Sequence, residues 1–134
     1  MSISVTYLSG IILILIVLLV STCDARNPSQ EVRVVINSKI GAGIDLKIHC
    51  KSKDGDLGEH VIPYGGNYGF KFTPNYFGFT LFSCSFSWQN QYHRMDIYDS
   101  TRDYTLCDKT CLWLVKSKGP CMFDGKEKIC YKWK

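Results

Sequence analysis

Histidine is the side chain best suited to moving protons near neutral pH, and this chain has three. Two of them invite a catalytic reading. His49 and His93, with a lysine nearby, would supply the base, acid and charge stabiliser of an RNA-cleaving site. Their surroundings argue otherwise. His49 alternates to the polar side of a run that also carries Asp45 and Lys47, and His93 sits in the polar stretch 89–94. Two histidines without a shared frame are a weak signal. Asp54, Asp56 and Glu59 resemble part of a calcium loop, but the full ligand pattern of such a loop is missing. Cys107 and Cys111 have a spacing that zinc can use, yet an oxidising compartment turns such a pair into a disulfide. No serine-nucleophile motif, phosphate loop or paired-carboxylate signature is present. The expectation is a non-enzyme with no catalytic residue, metal or cofactor.

The cysteines define the compartment. Seven is an odd count, but Cys23 follows the apolar run 11–20 and precedes Asp24-Ala25. An apolar stretch followed by small or polar residues is the layout of a secretory leader and its cleavage site. Residues 1–10 contain no Lys or Arg, so the α-amino group is the only positive charge there. The apolar stretch falls short of the roughly 20 residues of a membrane span. Cleavage after Ala25 is therefore expected, with an uncleaved anchor as the rival reading. A single domain, residues 26–134, would remain, with six cysteines: Cys50, Cys84, Cys107, Cys111, Cys121 and Cys130. An even count in an extracellular setting implies three disulfides, each stabilising by about 2–4 kcal/mol.

Loss of Asp24, the only charged leader residue, raises the net charge from +4 to +5. That excess suits a weakly acidic partner but falls far short of a dedicated nucleic-acid binder. Asn27-Pro28-Ser29 is disqualified as a glycosylation acceptor by its proline. The mature protein is expected to be a monomer that inserts into no membrane.

Alternation dominates the rest of the chain, with Gly, Asn and Pro as punctuation. Val32, Val34 and Ile36 share one face of a first strand, and Ile44, Leu46, Ile48 and Cys50 one face of a second. Val61-Ile62 marks a third, and Tyr68, Phe70 and Phe72 a fourth. Phe82, Cys84, Phe86 and Trp88 alternate with Ser83, Ser85 and Ser87 in the clearest strand of all. Met95 and Ile97 line a sixth, Cys111, Trp113 and Val115 a seventh, and Ile129, Tyr131 and Trp133 the last. About eight short strands predict an all-β domain, a two-layer antiparallel sandwich stabilised by disulfides. Cys50, Cys84 and Cys111 lie on apolar faces and should enter the core, bridging the two sheets. Cys130 lies on a lysine face, and Cys107, in the polar segment, is its expected partner. Lys126, Lys128, Lys132 and Lys134 form a C-terminal basic stripe. It either guards an edge strand or meets acidic loops of a partner.

The run from His49 to His60, His-Cys-Lys-Ser-Lys-Asp-Gly-Asp-Leu-Gly-Glu-His, resembles a motif of the plant self-incompatibility protein S1 family, the S-protein homologues. The similarity continues through 68–72, 77–88, 95–98, Arg102-Asp103, 111–113 and 119–121, nearly the whole mature chain. Cys107 and Cys130 belong less uniformly to the pattern. The resemblance implies a small secreted β-sandwich acting as a ligand for a plant plasma-membrane receptor, with pollen–pistil recognition as the founding role. A secreted basic defence protein is the alternative, and a ribonuclease a more distant one. The matching residues read as scaffold: Leu57 anchoring a turn and Gly58 supplying a conformation other residues resist. Recognition is then assigned to exposed loops. The candidate contact residues are Lys39, Asn67, Gln91, His93, Arg94, Arg102, Asp103, Lys116 and Lys118.

Overall fold

Each alternating run pairs with its neighbours to bury the apolar half of its residues, and nine strands result among the described residues. The computed structural model describes residues 30–75, 78–107, 109–123 and 125–133. The expected leader with Cys23 lies outside the described residues, as do Phe77, Asp124 and Lys134. The strands are β1 (Val32–Lys39), β2 (Leu46–Ser52), β3 (Gly55–Ile62), β4 (Asn67–Phe72), β5 (Leu81–Trp88), β6 (Gln91–Asp99), β7 (Thr110–Lys116), β8 (Gly119–Phe123) and β9 (Lys128–Cys130). One helical turn, α1 (Ser100–Asp103), follows β6.

Two sheets form, ordered β4-β1-β7-β8-β9 and β3-β2-β5-β6. The expected sandwich is present, with one addition. β1 runs parallel to β7, Arg33 to Lys39 registering with Thr110 to Lys116, while the other pairings are antiparallel. Period-two alternation sets which face is buried but not the direction of a neighbour, so this pair had no signal in the sequence. β8 also escaped alternation, because Gly119, Pro120, Cys121 and Met122 are all buried. Met122 faces the core, and the tail after β9 stays beside β8 through a Tyr131 N–H to Pro120 carbonyl bond of 2.9 Å. A β-carbon on Gly119 would run into the Tyr131 carbonyl. β3 starts at Gly55, earlier than expected, and Gly58 in it has φ +81°, a conformation glycine adopts without strain.

The core lies between the inner faces. Val34, Ile36, Trp113 and Val115 of one sheet and Leu46, Ile48, Phe86 and Ile97 of the other are fully buried, each worth about 1.5–3 kcal/mol for a side chain of this kind. The aromatic rings interlock across the layers, Phe70 on Phe82 at 5.1 Å and Phe72 on Tyr98 at 4.7 Å. Beyond β9, Tyr131 and Trp133 cap this core, Trp133 lying 5.6 Å from Phe86.

All six cysteines are bridged, but not as the strand faces implied. The bridges are Cys50–Cys84, Cys107–Cys111 and Cys121–Cys130. Cys50 and Cys84 are direct partners on β2 and β5, and Cys121 and Cys130 on β8 and β9, with Cα atoms 4.0 Å apart in each pair. The expected Cys107–Cys130 bridge is corrected, because register places Cys130 on Cys121, while the turn after α1 folds Cys107 onto Cys111. No bridge joins the two sheets, which corrects that expectation as well.

Candidate functional site

The two histidines of the RNA-cleaving reading cannot act together. His49 registers with Ser85 on the outer face of the four-stranded sheet, while His93 registers with Phe86 on the inner side. His93 is stacked on Trp133 at 4.5 Å, and His49 is bound to Asp56 at 2.6 Å. That contact and the Gly58 N–H hold the Asp56 carboxyl below its ordinary range, the Gly58 bond contributing most. Glu59 pairs instead with Lys47, so two of the three acidic residues of the supposed calcium loop, Asp56 and Glu59, are drawn to separate partners. Among the described residues no group of three His, Cys, Asp or Glu side chains is placed to hold a metal.

Strand register gathers most of the expected contact residues at one end of the sandwich. Lys39 pairs with Lys116, Asn37 with Asn67, and Lys116 with Gly119. Lys118 occupies the turn between β7 and β8, and Gln91 begins β6 at the same end. Asn67 is fixed by the Asn37 side-chain amide, which donates to its Oδ1 at 2.6 Å. Lys39 lies over the Tyr64 ring at 5.6 Å. A side-chain hydrogen bond with Lys128, and then the like charge of that residue, hold the Lys116 ammonium below its ordinary value. Like charges placed side by side on a sheet weaken it, so this cluster works against stability.

The same cations frame the outer face of the five-stranded sheet. Val35, Leu112 and Leu114 are half-buried there, Phe123 is exposed, and the Cys121–Cys130 bridge lies beside Leu114. Arg33, Lys71, Lys39, Lys116 and Lys128 surround them, and no strand residue of that face is acidic. The opposite outer face has a floor of Ser83, Ser85 and Ser87 and carries both signs of charge: Lys47, Lys51 and Arg94 against Glu59 and Asp96. The C-terminal basic stripe is divided, Lys128 facing the apolar floor and Lys132 a groove elsewhere.

That groove has a volume of about 350 Å³ and runs between β6 and the tail after β9. Arg94, Arg102, Lys132, Asp96, Tyr131 and Trp133 line it. Asp103, expected as a contact residue, is fully buried, and this is a correction. Its carboxylate accepts from Arg102 Nε and Nη2 at 2.7 Å each and from the Asp99 N–H at 2.9 Å. Arg102 also donates to the Asp96 carbonyl at 2.8 Å and lies over the Trp113 and Tyr131 rings at 5.3 and 5.8 Å. Burial opposes its charge, but the Asp103 carboxylate outweighs burial and raises the guanidinium above its ordinary value. Arg102 is thus a fixed wall, whereas Arg94 and Lys132 carry no ion pair among the described residues. Sequence reasoning missed Asp96, Tyr131 and Trp133 as groove residues. Alternation put both aromatics on an inward strand face, where they do pack, but it could not show that β6 lies beside them to form a groove.

A family model, plant self-incompatibility protein S1, matches residues 33–133. The chain belongs to that family. Among its Arabidopsis thaliana relatives, S-protein homolog 5 is 47% identical over 107 residues, covering 80% of this chain and 82% of the relative. S-protein homolog 2 is 38% identical, covering 84% and 74%. A solved structure of SPH (self-incompatibility protein homologue) proteins, described as small, highly stable and secreted from plants, superposes with a TM-score of 0.60. It covers 79% of this chain and 96% of that one at 19% identity, so what it shares with this chain is the fold. The sandwich expected from the family motifs is therefore seen both in this chain and in a relative.

Proposed function

We propose that this family member is a secreted plant signalling ligand, acting as a monomer that docks on a cell-surface receptor. It binds through the lysine-rich end of the sandwich. The observation that carries the reading is the pairing of Lys39 with Lys116 at an end shared with Lys118, beside Lys128. Such a cluster costs stability and, among the described residues, no strand residue of its sheet face is acidic, so an acidic surface on a partner is what it complements. The apolar floor beside it supplies area to bury, and the cations speed encounter. Tied loops such as 63–67, held by the Ser38 and Asn37 bonds to Gly65 and Gly66, present the surface without a large ordering cost. The family name and the secreted relatives support an extracellular role in cell-to-cell recognition, pollen–pistil contact being one setting. Neither nucleic acid nor membrane insertion enters this reading.

The test measures saturable, protease-sensitive binding of the oxidised protein to plant plasma-membrane vesicles. The triple variant Lys39→Glu, Lys116→Glu, Lys118→Glu is expected to lose at least about tenfold in affinity, the effect of roughly 1.4 kcal/mol. Undiminished binding by a folded triple variant would refute the docking end. The same cluster favours a second reading, a defence protein adsorbing to anionic microbial surfaces. That reading requires binding to protein-free anionic vesicles that collapses with added salt.

A further inference from the structure

We infer that the groove between β6 and the C-terminal tail is a binding site for an acidic sugar, a uronate ring within an extracellular glycan. Its volume of about 350 Å³ is at the small end for ligand pockets, which suits one or two rings rather than a long segment. Three observations set the chemistry. Arg94 and Lys132 face the groove without ion pairs among the described residues, so an oxyanion there gains charge-assisted hydrogen bonds. Tyr131 and Trp133 add aromatic surface beside those cations, held in place by Arg102 over the first ring and His93 against the second. Arg102 is immobilised by Asp103, the Asp96 carbonyl and two aromatic rings, so this wall is already ordered before a ligand arrives.

Asp96 chooses among the anions. One oxygen of its carboxylate accepts from Ser83 Oγ at 2.8 Å, and the group lines the groove. A carboxylate repels a second anion but accepts from hydroxyl groups. A uronate satisfies both signs of charge in the groove, with its carboxylate on Arg94 and Lys132 and its ring hydroxyls on Asp96. A sulfated tyrosine has no hydroxyl to offer Asp96. The inference concerns a different surface from the lysine-rich docking end and does not depend on any receptor.

The experiment is an amide chemical-shift titration of the oxidised protein with D-galacturonate, D-galactose and O-sulfotyrosine in parallel. Galacturonate is expected to saturate, with shifts confined to residues 94–96, 102 and 131–133, and galactose to bind much more weakly. Arg94→Gln and Lys132→Gln should each weaken galacturonate about tenfold, the effect of one charge-assisted hydrogen bond. Asp96→Ala should weaken galacturonate and strengthen O-sulfotyrosine, a reversal that a purely structural role would not produce. No saturable galacturonate binding, equal binding of galactose, shifts elsewhere, or a folded Arg94→Gln/Lys132→Gln protein binding like wild type would overturn the inference. Tighter binding of O-sulfotyrosine than of galacturonate by the wild-type groove would also overturn it, assigning the site to a sulfated protein. Loss of vesicle binding in the lysine-end variant leaves every one of these outcomes untouched, so the two readings fail separately.

Discussion

The segment joining β6 to β7 and the lysine-rich end look alike in sequence, both short, polar and charged, yet the fold uses them oppositely. In the first, Asp103 is fully buried and Arg102 is clamped between it and two aromatic rings. In the second, Lys39, Lys116 and Lys118 share one end of the sheet, and among the described residues no strand residue of that face is acidic. Charge in the first region is spent on holding the chain to itself, while in the second it stays available to another molecule. Composition alone cannot separate these uses. What separates them is whether a backbone turn puts an opposite charge within hydrogen-bond reach inside the core.

The largest test of that contrast is stability. Asp103→Ala strands the partly buried Arg102 charge and is expected to cost about 3–5 kcal/mol, measured by urea unfolding. Lys116→Glu with Lys118→Glu should stay within about 0.5 kcal/mol, as surface changes do. Equal losses would break the contrast. A smaller effect sharpens it. Removing the Cys107–Cys111 bridge with paired alanines should cost about 2 kcal/mol, because so short a loop restricts the unfolded chain little. A loss exceeding that of Asp103→Ala would mean that the bridge, rather than the ion pair, fixes this segment.

The smallest test is acid. The Asp99 carboxyl, which caps α1, is held below its ordinary value of 3.8, chiefly by the Thr101 hydroxyl bond. Its contribution is therefore present above pH 3.8 and lost as pH falls through the depressed folded value. Amide exchange is expected to quicken at residues 100–104 below that pH, with no matching change at Lys116, Gly119 and their neighbours. Uniform quickening would show that acid acts on the whole fold.

Much of the scaffold was legible because alternation reports burial directly. Phe82, Cys84, Phe86 and Trp88 face inward and Ser83, Ser85 and Ser87 outward, as their spacing requires. Leu57 packs on the core and Gly58 takes a positive φ, as their places in the motif implied. The disulfide partners were illegible because register, a long-range property, decides them: Cys130 meets Cys121 only once β9 lies on β8. The site was legible in part. Lys39, Asn67, Gln91, Lys116 and Lys118 converge because they sit at strand ends, whereas Asp103 was misjudged because its polarity hid its burial. Tyr131 and Trp133 face the core as their alternation implied, but it gave no warning that they also wall the groove beside β6.

The parallel contact of β1 with β7 carries a consequence for biosynthesis. The second strand made belongs to one layer and the first to the other, and the first has its inner neighbour only after Thr110–Lys116 has been synthesised. Until then one edge of Val32–Lys39 stays open while the ribosome builds most of the polypeptide. Closure of that layer is thus a late event, slow in the way that distant pairings are, and a chain truncated before Thr110 would keep a strand edge ready to join another copy.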